Sequence, residues 1–215
     1  MSTVPWGLVV PVKRLALAKS RLASYGDEVR QDLALAFAVD VVTAATAADS
    51  VVEVLVVTDD ERAAAAVSAA GATVVADSPD AGLNPALAHG VALLRKERDV
   101  GVATLSADLP ALRGADLDAA LACVPVRGRG FVADAAGTGT TLLAAAPGVE
   151  LAPAYGAGSR AGHLASGALE LPAADGLRLD VDTPEDLVRA LRLGVGTATA
   201  AVAAQLPWPR WTMGP

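Results

Sequence analysis

Four cations, Lys13, Arg14, Lys19 and Arg21, fall within nine residues of a 215-residue chain that has three lysines in all and a formal net charge of -7. Such a loop could neutralise a triphosphate or be an ordinary solvated loop, and charge alone does not separate the two. It follows the apolar run Gly7 to Val12 directly, and loops at the carboxyl ends of parallel strands are where open α/β sheets bind ligands. Asp108, in Ser106-Ala-Asp-Leu-Pro110, falls at a similar edge because Pro110 ends the strand before it. It reads as a metal ligand or as a turn or capping aspartate. Asp180 and Asp182 alternate with Val181, and an i, i+2 pair in a strand turns both carboxylates to one face. A divalent cation would relieve their repulsion, and Mg2+ favours one or two carboxylates plus substrate phosphates. Asp182 also precedes Thr183-Pro-Glu-Asp186, a capping box for the next helix.

Further polar residues cluster in the second half. Gly137-Thr-Gly-Thr140 separates two β runs as a hairpin turn whose hydroxyls could also meet a ligand. Tyr155-Gly-Ala-Gly-Ser159 leads into a short helix, which makes Ser159 an expected N-cap beside free N–H groups suited to an anion. His163 and His89 read as structural. No Ser/His/Asp or Cys/His arrangement can be assembled. Neither Gly-x4-Gly-Lys-Ser/Thr nor Gly-x-Gly-x-x-Gly occurs, which disfavours a P-loop NTPase and a dehydrogenase.

The elements that must position these residues alternate. Strands are expected at Gly7 to Val12, Val51 to Thr58, Thr73 to Ala76 and Val100 to Ser106. Between them come a helix from about Asp27 to Ala48, with a stripe of Val29, Leu33, Phe37, Val41 and Ala44 and a polar opposite face, and an Ala-rich helix opened by a capping box at Thr58-Asp-Asp-Glu61. A third helix runs from Pro85 to about Arg98, with Asn84 as its N-cap. This alternation argues a parallel sheet with helices on both faces. From Phe131 the rhythm changes to two β runs, a helical segment near Ser159, a strand at Leu177 to Val181 and a helix entered through Thr183-Pro184. The whole, 1 to 215, is expected to be one domain, with the second half a β-rich insertion on the same sheet. A tail from about 194 carries Trp208 and Trp211.

Composition sets the outer limits. The chain is 53% hydrophobic and only 3% aromatic, so its core must be Ala, Val and Leu. An acidic balance excludes a general nucleic-acid binder. The lone Cys123 and the lack of zinc-spaced Cys or His fit a reducing compartment. The opening residues have no cations ahead of the apolar run as a signal peptide would, and no stretch reaches membrane-spanning length. Cytoplasmic localisation, without membrane or nucleic-acid partners, is the expectation.

Taken in order and spacing, Pro11-Val-Lys-Arg-Leu-Ala-Leu-Ala-Lys-Ser-Arg-Leu22, Gly82-Leu-Asn-Pro-Ala-Leu87, Asp108-Leu-Pro110, Gly137-Thr-Gly-Thr140, Gly156-x-x-Ser159 with His163, and Asp180-Val-Asp-Thr-Pro184 resemble the guanylyltransferases of coenzyme F-420 biosynthesis. The resemblance implies an α/β single-domain nucleotidyltransferase, a Rossmann-like three-layer sandwich of the molybdenum-cofactor guanylyltransferase type. It implies transfer of GMP from GTP to a small phosphorylated three-carbon acid with release of pyrophosphate. The acceptor would be phosphoenolpyruvate, with 2-phospho-L-lactate or 3-phosphoglycerate as alternatives, and a non-catalytic nucleotide-binding regulator as the reading from another class. Carried over, Pro11, Lys13, Lys19, Arg21 and Asn84 would bind the nucleotide, with Lys13, Lys19, Arg21 and Asp108 catalytic. Asp108, Asp180 and Asp182 would hold Mg2+, and Thr140, Gly156 and Ser159 the acceptor. A homodimer and hand-over of product to the next transferase are the partner expectations. The chain departs from the family pattern at Ala107, where Gly often precedes the aspartate.

Overall fold

In the first strand, β1 (Trp6–Pro11), Leu8 and Val10 enter one apolar cluster and Val9 enters another. A strand buried on both sides must have cover on both sides. The computed structural model describes residues 4–78, 81–97 and 99–206. In chain order after β1 come two short 3-10 turns (Leu15–Leu17, Ser20–Tyr25), α1 (Asp27–Thr46), β2 (Val51–Val57), α2 (Glu61–Ala69), β3 (Thr73–Val75), α3 (Leu83–Glu97), β4 (Gly101–Leu105) and α4 (Gly114–Ala122). The second half adds β5 (Arg129–Ala133), β6 (Thr140–Ala145), α5 (Ser159–Ala165), β7 (Leu169–Glu170), α6 (Asp175–Arg178), α7 (Pro184–Leu193) and α8 (Thr197–Ala203).

The strands form one seven-stranded sheet in the order β3-β2-β1-β4-β6-β5-β7. β1, β2, β3 and β4 are mutually parallel, β6 runs against β4 and β5, and β7 lies parallel to β5. The second half therefore extends the same sheet, as its β-rich pattern suggests. On one face, Ala34, Ala38, Val41 and Ala45 of α1, Val67 of α2 and Leu117 and Leu121 of α4 cover the sheet. On the other, Leu87, Val91 and Leu94 of α3 do. Small residues allow close approach. A methyl group at Gly114 would lie 3.0 Å from the Ala44 carbonyl oxygen and 3.1 Å from Ala47, so glycine lets α4 start against α1.

Several local expectations need correction. The cap of α2 is Asp60, whose Oδ1 accepts the Ala63 N–H at 3.0 Å. Thr58 lies two residues back, and its hydroxyl accepts the Asp60 N–H instead. Asn84 lies inside α3, which starts at Leu83, because its amide is engaged elsewhere. The expected end of that helix, Arg98, lies outside the described residues. α4 is an unanticipated element, although Leu117, Ala120 and Leu121 have helical spacing. The expected strand at 177–181 is the short α6 followed by non-ladder chain; β7 already occupies the place beside β5. The capping box at Thr183 and Asp186 forms as read, with bonds of 3.2 and 3.1 Å.

The apolar stripe of α1 is divided between two partners. Val41 faces the sheet, whereas Leu33 and Phe37 pack with Leu179, Val181, Leu187, Ala190 and Ala203. Asp40 on that side is buried, and its two oxygens accept the N–H groups of Ala198 (3.0 Å) and Thr199 (2.9 Å). The region from 194 thus continues as a helix capped by a distant carboxylate; Trp208 and Trp211 lie outside the described residues. Asp40→Ala should cost about 1 to 3 kcal/mol in a denaturant melt, because two buried N–H groups lose their partners. Nucleotide KM should stay unchanged, since Asp40 does not line the groove described next and its carboxylate is spent on α8.

Candidate active site

The cationic loop is held from beneath by a residue that sequence reasoning missed. Arg30 of α1 is buried, and its guanidinium donates to the carbonyls of Leu15 (3.2 Å), Ala16 (3.0 Å) and Ala18. Asp60, while capping α2, accepts the Leu15 N–H at 2.8 Å through its second oxygen. An arginine 12 to 15 residues from its acceptors leaves no periodic signal. Within the pinned loop Lys19 adopts left-handed backbone angles, φ 52° and ψ 46°, which cost a non-glycine residue roughly 1 to 2 kcal/mol. From there its ammonium bonds both Asp108 and Asp182, the latter at 2.7 Å.

Pro11, Lys13, Lys19, Arg21, Asp108 and Asp182 line one cavity of about 440 Å3. A second, of about 350 Å3, shares Pro11, Val12, Lys13, Leu17 and Leu83 with it, so the two make a groove across the carboxyl ends of β1 and β2. Their volumes lie in the range of small-molecule sites. Arg21 approaches Asp182 at 3.6 Å with its side chain largely exposed, and Arg14, also largely exposed, lies 3.9 Å from Asp59 on the wall of the second cavity. Ala107, the departure from the family pattern, also lines the groove.

Val181 N–H bonds the Asp108 carbonyl at 3.0 Å, and this one backbone bond, rather than a strand, brings Asp180 and Asp182 beside Asp108. The charges are unequal in consequence. Burial disfavours the Lys19 ammonium, but Asp108 and Asp182 outweigh it and hold its pKa above the usual value. Burial likewise opposes ionisation of Asp182, yet Lys19, Arg21 and Lys13 bring its pKa below the usual range. Asp180 has no such cation. Burial, with repulsion from Asp108 and then Asp182 and Asp134, pushes it up to about 6.

This donor set fits a hard divalent cation. One Asp108 oxygen, Oδ1, is buried with no hydrogen-bond partner, and Asp180 adds a third carboxylate to the two that share the single Lys19 ammonium. Among the described residues no three acidic, His or Cys side chains already form a cage. Mg2+ needs none, since it keeps waters and substrate oxygens in its shell.

The remaining residues of interest form a second group. Asn84 donates to the Tyr155 carbonyl (3.0 Å) and accepts the Tyr155 N–H (2.8 Å). It therefore ties α3 to the loop that carries Gly156, next to the groove residue Leu83. Gly156 has φ 140° with open space around its Cα, backbone that only glycine adopts easily. Ser159 is not the N-cap of α5: Gly158 is, with φ 71°. The Ser159 and Arg160 N–H groups go to the carbonyls of Gly156 and Thr138, so the expected set of free N–H groups is reduced. The Ser159 hydroxyl instead donates to Thr140, which also meets His163. β6 is antiparallel to β4 with Leu142 opposite Leu105, and Ser106 N–H bonds the Thr141 carbonyl. That bond joins the residue next to Thr140 to the start of the segment that carries Asp108.

The family described as guanylyl transferase CofC like matches residues 7–206. The chain belongs to this family. It is 60% identical over 205 residues to the phosphoenolpyruvate guanylyltransferase of Streptomyces coelicolor, covering 94% of this chain and 97% of that one. The fold is also that of a solved nucleotidyl transferase from Methanothermobacter, with TM-score 0.60 at 20% identity over 89% of this chain and 99% of that one. Rv0371c of Mycobacterium tuberculosis, solved in complex with manganese, superposes with TM-score 0.53 at 24% identity over 88% and 99%. The protein is thus a nucleotidyltransferase of the guanylyl-transferring class. Among the described residues no helix is long and apolar enough to cross a membrane.

Two outcomes follow from this geometry. Arg30→Met should lower stability by about 2 to 4 kcal/mol, as three carbonyls lose a buried donor, and should raise the KM for nucleotide. Arg62→Ala, which breaks an exposed pair with Asp32, should shift the melt by less than about 1 kcal/mol. The second concerns pH. The Asp180 pKa is higher folded than unfolded, so its contribution to stability is complete below about pH 4 and lost as pH rises through about 6. Asp180→Asn should therefore raise the metal-free melting temperature at about pH 7.5 and leave it unchanged near pH 4.

Proposed function

We propose that this protein transfers GMP from GTP to phosphoenolpyruvate, releasing pyrophosphate and giving enolpyruvyl-diphospho-guanosine. Mg2+ would be held by Asp108, Asp180 and Asp182. The observation that carries the reading is the meeting of the loop cations with half-buried carboxylates in one nucleotide-sized groove. The acceptor rests on the 60% identity to a relative named for phosphoenolpyruvate.

The chemistry asks for position and charge rather than for a proton transfer. The acceptor's phosphate is already anionic near neutral pH. One of its oxygens attacks the α-phosphorus, a new P–O bond forms, and the bond to the β-phosphate oxygen breaks as pyrophosphate leaves. A bound divalent cation supplies neutralisation at the α-phosphate and the leaving group. Lys13, Lys19 and Arg21 bind the triphosphate; Lys19 exchanges its two carboxylate partners for phosphate oxygens in the same cavity. Pro11 and Leu83 contribute walls, and Asn84 sets the loop that bounds the nucleoside end. Thr140, Gly156 and Ser159 would form the acceptor side, and the Ser106–Thr141 backbone bond that ties β6 to the segment before Asp108 supports this. In the cytoplasm the product would pass to the next transferase of coenzyme F-420 biosynthesis.

Mass spectrometry of the product from GTP with phosphoenolpyruvate, 2-phospho-L-lactate or 3-phosphoglycerate tests the acceptor; conjugation only to one of the other two acids overturns it. In the same assay Lys19→Ala should reduce kcat/KM for GTP by about a hundredfold, as expected for a lost charge contact of roughly 2 to 4 kcal/mol. Arg14→Ala, at a largely exposed side chain that faces Asp59 and lies outside the cavity holding Lys19 and the aspartates, should leave it within about twofold. The reverse ranking would mean that the other face of the loop meets the nucleotide.

A further inference from the structure

His163 has no solvent exposure, although it is one of only two histidines in the chain. It lies between the rings of Phe131, at 5.7 Å and tilted, and Tyr155, at 5.5 Å edge-on. Both of its nitrogens are engaged. Nε2 accepts the Ala154 N–H at 3.2 Å, and Nδ1 lies 2.9 Å from the Thr140 hydroxyl. A nitrogen that accepts a hydrogen bond carries no proton, so in the neutral ring the proton is on Nδ1. Burial first, and then the charge of Arg129, lower the pKa of this ring and keep it neutral.

The consequence falls on Thr140. Its oxygen accepts from His163 Nδ1–H and, at 3.3 Å, from the Ser159 hydroxyl. Two donors fill its two lone pairs, which leaves its own O–H to donate. Among the described residues the Thr140 hydroxyl makes no further hydrogen bond. A hydroxyl restricted to donating suits a carboxylate or phosphate oxygen and discriminates against a donor. The opposite tautomer would reverse the polarity, since Thr140 would then give its proton to the ring.

We propose that His163 is a positioning residue for the acceptor: by fixing the tautomer opposite Thr140 it makes that hydroxyl a dedicated donor to the anionic three-carbon acid. The inference rests on the acceptor subsite proposed above. Ser159 acts through the same oxygen as the second donor. The Ala154 N–H that fixes the tautomer belongs to the chain leading into Gly156, so the loop and the hydroxyl are set together.

The wild-type protein itself provides the first test. Nitrogen-15 NMR of the two imidazoles, with His89 assigned through His89→Gln, should show His163 as the neutral Nδ1–H form. An Nε2–H form or an imidazolium near pH 7.5 overturns the proposal without recourse to a variant. Kinetics give the second test. His163→Gln places an acceptor where Nε2 was but offers no donor at Nδ1, whereas His163→Asn offers a donor there. His163→Gln should raise the acceptor KM about tenfold with GTP KM unchanged, as for one lost hydrogen bond near 1.4 kcal/mol, and His163→Asn should recover most of that. Equal effects of Gln and Asn, or a joint rise of both KM values, overturn the positioning role. Thr140→Val separates the two layers. If it leaves the acceptor KM unchanged, the acceptor subsite itself is wrong; if it raises that KM while His163→Gln does not, only the role of His163 fails.

Discussion

Lys19 places its ammonium between the carboxylates of Asp108 and Asp182 at the carboxyl edge of the sheet, and most other features of the site serve to hold or balance that contact. The cation comes from a loop after β1, one carboxylate from the loop after β4, and the other from a coil near α7. These three segments are far apart in the chain. Without the ammonium, two carboxylates and the neighbouring Asp180 would face one another in a partly buried space, at a cost that burial increases. Lys19 offsets that cost in the absence of substrate, and its left-handed backbone is the strain accepted for the placement.

The support beneath this contact explains why the core has the composition it has. α1 is buried on two sides, against the sheet and against α7 and α8, so it can carry Arg30 to the underside of the cationic loop and Asp40 to the start of α8. A helix enclosed in that way has room for little beyond Ala, Val and Leu. Close packing of such small groups is stiff, and stiffness keeps the loop cations and the aspartates within reach of one another.

The second group of residues works by the same means at a different place. Asn84 joins α3 to the chain around Tyr155, and His163 joins that chain to Thr140. Both use side-chain to backbone bonds to fix loops that have no ladder of their own. The pairing of β4 with β6, extended by the Ser106–Thr141 bond, then connects this group to the segment that carries Asp108, so both groups hang on one sheet.

Much of this was legible from residue order. Alternating buried runs and helical stripes determined a parallel α/β sheet with cover on both faces, because period and length reflect local burial. The clustered cations, Asp108 before Pro110 and the capping box at Thr183 pointed to the ligand edge, since each is a local signal. Other features needed the folded chain. Asp180 and Asp182 approach Asp108 through one long-range backbone bond, where local alternation suggested a strand. Asn84 and Ser159 look like helix caps in sequence but give their side chains to distant partners. Arg30, Asp40 and His163 are polar residues on largely apolar helices, and only tertiary contacts decide whether such groups meet water or backbone. Sequence by itself determined which elements form and where charge gathers; the tertiary structure decided which buried polar group pairs with which, because those partners lie too far along the chain for any local pattern to record them.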